Sequence, residues 1–172
     1  FCLLNSVAIG AINALNLPNI DRVAILDFDV HHGNGTVDLC REFPEILVCS
    51  SFQHPYYPHR LHDVTAPNIV NTPLVAGASG DDFRRAIDGS WWQVIEEHRP
   101  DLIFISAGFD AHRVDPLAQL KLDVSDFAWI TAQIVALADQ FSQGRIVSTL
   151  EGGYDLRALA DSALAHLEAL TA

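Results

Sequence analysis

Four short runs rich in Val, Ile, Leu and Phe, at residues 22–26, 46–51, 101–106 and 145–150, restrict the folding of this chain more than any other feature. Each is too short for an ordinary helix and apolar at both odd and even positions, the pattern of a strand covered on both faces. Around them lie segments of helical composition at residues 2–15, 81–97, 125–141 and 156–170, the second with Ser79 or Asp81 as its N-cap. Doubly buried strands alternating with helices predict an α/β domain built on a mostly parallel sheet. Residues 54–71, rich in Pro, His and Tyr, fit neither pattern and read as a long functional loop, and residues 77–80 as a short turn.

With 172 residues and 49% hydrophobic content, the chain can bury one substantial core, and no linker divides it, so a single domain spanning 1–172 is expected. No apolar run approaches the roughly 18 residues needed to cross a bilayer, and no basic leader precedes an apolar segment. A cytoplasmic protein without membrane contact follows as the expectation. The three cysteines, Cys2, Cys40 and Cys49, suit reduced thiols better than a disulfide framework, so any metal has to be held by His and carboxylate. A net charge of −12 argues against a sequence-independent grip on nucleic acid and is compatible with a cationic substrate. The chain starts at Phe1 and has no Met, which reads as a segment of a longer gene product.

Polar residues gather where the four predicted strands end. Asp27, Asp29 and His31 follow the first, Ser50 and Ser51 end the second, Gly108, Phe109 and Asp110 follow the third, and Glu151, Gly152, Gly153 and Tyr154 follow the fourth. Ligands of open α/β sheets bind at this carboxyl edge, so the four loops are expected to converge on one pocket. In DFDVHHGNGT, residues 27–36, alternation along an extended backbone puts Asp27, Asp29 and His31 on one side. Taken singly, Asp29 and His31 read as a turn cap and a surface imidazole. Taken with Asp110 they make a three-donor site of hard and borderline ligands suited to Zn²⁺ or Fe²⁺, with a position left for water and substrate.

Two carboxylates cancel the charge of a dication, so water there is acidified less than in a three-histidine site and a separate general base is required. His32 points to the opposite face if the backbone stays extended, which makes it a structural or substrate-facing residue. Tyr154, after Gly152 and Gly153, is placed to donate a hydrogen bond to an oxyanion developing on a substrate carbonyl, an interaction worth roughly 3 kcal/mol.

DFDVHHGNGT, ISAGFDAHRVDPL at residues 105–117 and LEGGYDL at residues 150–156 resemble, in order, three signature blocks of the histone deacetylase superfamily, which includes acetylpolyamine amidohydrolases and acetoin-utilisation proteins. HHGN and EGGY resemble its class II side, bacterial members in particular. The resemblance covers nearly the whole chain. It implies a three-layer arginase-like α/β domain, here a partial one, and zinc-dependent hydrolysis of an acyl amide on a lysine side chain, a polyamine or a small amine. It gives Asp29, His31 and Asp110 as zinc ligands and Tyr154 as the oxyanion donor. Asp27 and Asn34 are implied to orient the two histidines of a catalytic pair. Asp27, Ser50 and backbone oxygens around Asp29 and His31 are implied to form a monovalent-cation site usually filled by K⁺. Phe1 and Tyr57 would line the substrate channel, with Gly108 and Gly153 in its walls.

The family's tandem-histidine motif, which supplies the general base, normally lies shortly before the segment beginning here with FCLLN, and this chain lacks it. General acid or base assistance is typically worth 10²- to 10⁴-fold, so the chain by itself is expected to be nearly inactive. Lacking an N-terminal portion, it is also expected to expose a sheet edge and apolar surface and to associate with itself, as a homo-oligomer or an aggregate. Two-metal ureohydrolases are disfavoured by Gly33 and His112, where further carboxylates would be needed. A phosphate-handling Mg²⁺ enzyme built on DFD is disfavoured by His31 and the EGGY block. A non-catalytic acyl-lysine-binding domain, retaining the zinc pocket without turnover, is the alternative.

Overall fold

A computed structural model describes residues 4–172. The elements run α1 (Ser6–Ala14), β1 (Val23–Asp27), α2 (Asn34–Cys40), β2 (Ile46–Gln53), β3 (Ile69–Leu74), α3 (Gly80–Asp88), α4 (Trp92–His98), β4 (Leu102–Ala107), α5 (Val124–Phe141), β5 (Ile146–Leu150) and α6 (Leu156–Leu170). The sheet is parallel throughout, in the order β3-β2-β1-β4-β5. β1 is therefore central, and its last residue, Asp27, pairs with Ser50 on one side and Ser106 on the other.

Alternate residues of the strands feed two cores. One face carries Leu26, Cys49, Ile103 and Ile105 against Phe83, Trp91, Ile95, Phe127 and Ile134 of α3, α4 and α5 and the residue that joins α3 to α4. The other carries Val23, Ile25, Val48 and Phe104 against Val7, Ala11, Val37 and Cys40 of α1 and α2. Helices thus cover both faces, and the five buried residues of β1 explain why its sequence is apolar without alternation. α6 packs on α5 and adds Leu159, Ala163 and Leu170 to the first core.

Three expectations change. Residues 69–74 form a strand; Asn71, Thr72 and Pro73 hid it, and they are tolerated because β3 is at the sheet edge, where one side of the ladder needs no donor. The helix expected over 81–97 is two helices, because α3 ends at Gly89 and Trp91 turns into the core before α4 begins. β5 is not buried on both faces: Val147 and Leu150 are exposed, and only β4 pairs with it among the described residues. α2 was not anticipated, while Ser79 does cap α3, reciprocated by Asp82. Among the described residues no helix is long and apolar enough to cross a membrane.

Candidate metal centre

β1 ends at Asp27, but the alternation it sets persists into the following loop. Phe28 and Val30 stay in the core, while Asp29 and His31 face a cavity of about 650 Å³. Because β1 lies between β2 and β4, the loops after β1 and β4 are neighbours, and the loop after β5 reaches across to them. Asp29 Oδ1 accepts a hydrogen bond from the His31 amide at 2.7 Å and lies 3.0 Å from His31 Nδ1. Asp29 Oδ2 accepts from the Gly152 amide at 2.9 Å, which ties the third loop to the first. Asp110 Oδ1 accepts from the Val30 amide at 2.9 Å. Its Oδ2 is 3.1 Å from His31 Nδ1, buried and without an aligned hydrogen bond.

The donor atoms of Asp29, His31 and Asp110 lie within 4.8 Å of one another. Two carboxylates and an imidazole aimed at one point, one oxygen otherwise unused, fit a divalent ion of the Zn²⁺ type. The electrostatics agree. Burial raises the Asp110 carboxyl to about 6. Burial alone would lower His31, but contact with Asp110 and Asp29 outweighs it and lifts the imidazole to about 9. The two carboxylates therefore favour a proton on the His31 ring between them. Gly152 makes the convergence sterically feasible: a Cβ there would fall 2.0 Å from Asp110 Oδ2 and 2.6 Å from Asp29 Oδ2.

Asp27 lies beneath this group. Its Oδ1 accepts from the Asp29 amide at 3.1 Å, and the Ser50 hydroxyl donates to its Oδ2 at 3.4 Å. Burial, and then the Asp29 charge, push its carboxyl well above the ordinary range, and the same two causes raise Glu151. The described residues put no histidine against Asp27. Asn34 opens α2, and its side chain makes no hydrogen bond to the described residues. Tyr57, half exposed, meets the His31 ring edge-on at 6.1 Å and lines the cavity together with Glu151, Gly152 and Tyr154. Gly108 stands behind Asp29, where a Cβ would lie 2.4 Å from the Asp29 Cα, and Gly153 faces Leu159 and Phe109; neither belongs to the lining. Phe1 lies outside the described residues. His32 is buried, its Nε2 2.8 Å from Asn71 Oδ1 and its ring against Phe52.

Sequence reasoning missed Tyr56, whose ring stacks on His31 at 5.6 Å, and Asp115, which accepts from the Tyr154 amide. No local pattern marked either, because both partners are distant in sequence.

Comparison with known proteins identifies the family. The family described as the histone deacetylase domain matches residues 1–170. The chain belongs to the histone deacetylase family. An uncharacterized protein of Synechocystis is 41% identical over 99% of this chain and 55% of its own length. Histone deacetylase 10, chloroplastic, of Oryza sativa is 39% identical over 94% of this chain and 38% of its own. The histone deacetylase-like amidohydrolase of Pseudomonas aeruginosa is 33% identical over 99% of this chain and 47% of its own. This deacetylase-family chain thus spans about half the length of the curated relatives it matches, or less. Among solved structures, the histone deacetylase Clr3 superposes with a TM-score of 0.89 at 31% identity, covering 98% of this chain and 30% of that one. The HDA15 HD domain gives 0.88 at 30% identity, covering 99% and 51%. The layered parallel sheet described above is accordingly the arginase-like fold of deacetylase domains.

Proposed function

We propose that these residues form the metal-binding side of a zinc-dependent amidohydrolase site that removes acetyl or related acyl groups from lysine side chains or polyamines. The observation that carries this is the convergence of Asp29, His31 and Asp110 donor atoms within 4.8 Å, at the carboxyl end of the central strand. Zn²⁺ is the ion of choice and Fe²⁺ a substitute with the same donors. The ion supplies Lewis acidity, polarising an amide carbonyl and acidifying water. The Tyr154 hydroxyl donates a hydrogen bond to the carbonyl oxygen as negative charge develops there. Tyr57 lines the cavity beside His31, a flat surface suited to the methylene chain of an acylated amine, and Tyr56 stacks on the His31 ring. Asp27, with Ser50 and the backbone around Asp29 and His31, is the place for a K⁺ ion, which would neutralise a carboxylate that burial makes costly to charge. A net charge of −12 suits amine substrates, a cytoplasmic setting and no direct contact with nucleic acid.

For residues 1–172 by themselves the alternative, a second reading, is an acyl-lysine-binding domain without turnover. The one tandem histidine of the chain is already engaged, His31 with Asp29 and Asp110 and His32 with Asn71, so neither is available as the general base.

The test is zinc content after dialysis, followed by assay with acetyl-lysine peptides and acetylpolyamines, of this chain and of the complete natural polypeptide that contains it. One zinc per chain is expected, with turnover by the complete polypeptide and little by residues 1–172 alone. Y154F should lower kcat by about 10²-fold without changing zinc content. Binding of acetyl-lysine peptide with no turnover by the complete polypeptide would establish the second reading, and a chain that takes up no zinc refutes both.

A further inference from the structure

We propose that Asp115 is a positioning residue that clamps the Tyr154 backbone to the rim of the metal cavity, a role that rests on the deacetylase reading of Tyr154. Asp115 is 7% exposed and sits in the connection between β4 and α5. One oxygen is used locally, Oδ1 accepting from the Leu117 amide at 2.9 Å, as a turn carboxylate commonly does. The other is not. Oδ2 accepts from the Tyr154 amide at 2.8 Å, across 39 residues of sequence. No cation pairs with this carboxylate among the described residues, so two backbone N–H groups alone offset the cost of burying its charge.

The segment that Asp115 holds is also tied at its start, where the Phe109 amide donates to the Gly152 carbonyl at 2.8 Å. Gly153 precedes Tyr154 at φ +138°, a region open to glycine, and the next helix starts only at Leu156. Residues 152–154 are therefore pinned at their two ends by two carboxylates, Asp29 on the Gly152 amide and Asp115 on the Tyr154 amide. The same connection reaches the aromatic residue stacked on His31. The Tyr56 hydroxyl donates to the Leu117 carbonyl, and the Gln119 amide donates to Gln53 Oε1 at 2.9 Å. Tyr56 in turn stacks on His31. The connection that carries Asp115 thus joins the ring stacked on His31 to the backbone of Tyr154. A displacement near 1 Å at a reacting group costs on the order of 10²-fold in rate.

D115N keeps the shape but replaces one acceptor oxygen with an NH₂ group, so one of the two N–H donors faces another donor; D115A removes both acceptors. In the complete natural polypeptide loaded with Zn²⁺, kcat should fall about 5-fold for D115N and about 50-fold for D115A, with KM within twofold and zinc content unchanged. In a Y154F background D115N should cost less than twofold further. Hydrogen exchange at the Tyr154 amide should accelerate at least tenfold in D115N while amides of β1 and β4 keep their rates. Full additivity with Y154F, loss of zinc from D115N, or unaltered Tyr154 exchange overturns the proposal. If the parent polypeptide shows no amidohydrolase activity, the deacetylase reading fails, and the exchange experiment on D115N still decides whether the clamp exists.

Discussion

Gly152 lets the loop after β5 approach the carboxylates of the candidate metal centre closely. An added methyl group would sit 2.0 Å from Asp110 Oδ2, so Asp110 or the loop has to move. G152A should weaken zinc binding by about 100-fold in competition with a chromogenic chelator, while the melting temperature of the metal-free chain changes by only a few degrees. His166 acts at the same scale, away from the cavity. Its ring is buried between the Thr131 hydroxyl at 2.7 Å and the Ser148 hydroxyl at 2.8 Å, against Phe28 and Phe109. Burial depresses its pKa to about 4, so the unfolded chain binds a proton there more readily than the native one. Its contribution is complete above pH 6.5 and lost as pH falls toward 4, roughly 3 kcal/mol at most. H166Q should flatten the stability profile between those two pH values in urea titrations, and an unchanged slope would exclude His166 as its source.

Between elements, Asn68 does what no strand or helix does. Its side-chain amide donates to the carbonyls of Cys40, Phe43 and Ile46 at 3.0, 2.9 and 2.9 Å, tying the end of α2 to the start of β2 just before β3 begins. N68A removes one donor from each of three carbonyls, two of which keep the Phe43 and Ile46 amides, and a loss of about 1–2 kcal/mol is expected by equilibrium urea unfolding. Residues 54–71 read as a functional loop from their composition; β3 takes the last three of them, and Tyr57 lines the cavity. β3 was illegible for a physical reason: an edge strand needs apolar side chains on one face and hydrogen bonds on one side only, so Asn71, Thr72 and Pro73 are allowed.

At the scale of the molecule, apolar side chains remain uncovered along β5 and α6, among them Leu150 at 59% and Leu156 at 80% exposure. Leu164 and Leu167 are exposed on α6 as well. A parallel sheet with an open, apolar edge pairs with other chains. Residues 1–172 produced alone are therefore expected to associate at tens of micromolar, with the double substitution L164K/L167K lowering the apparent mass in sedimentation; a monomer at all concentrations would contradict this. Much else was legible in the order of residues. Doubly apolar runs read as a parallel sheet because strands covered on both faces have no other composition, and Asp27, Asp29 and His31 shared a side because backbone alternation is local geometry. Asp110 and Tyr154 were legible by position, each following a strand. Tertiary structure alone decided the rest. The order β3-β2-β1-β4-β5 sets three loops side by side, Gly152 rather than Gly153 enters the cavity, and Asp115 reaches Tyr154 across 39 residues. These are contacts between segments whose sequences carry no record of one another, because a hydrogen bond or a steric gap constrains a pair and leaves no period in either strand of text.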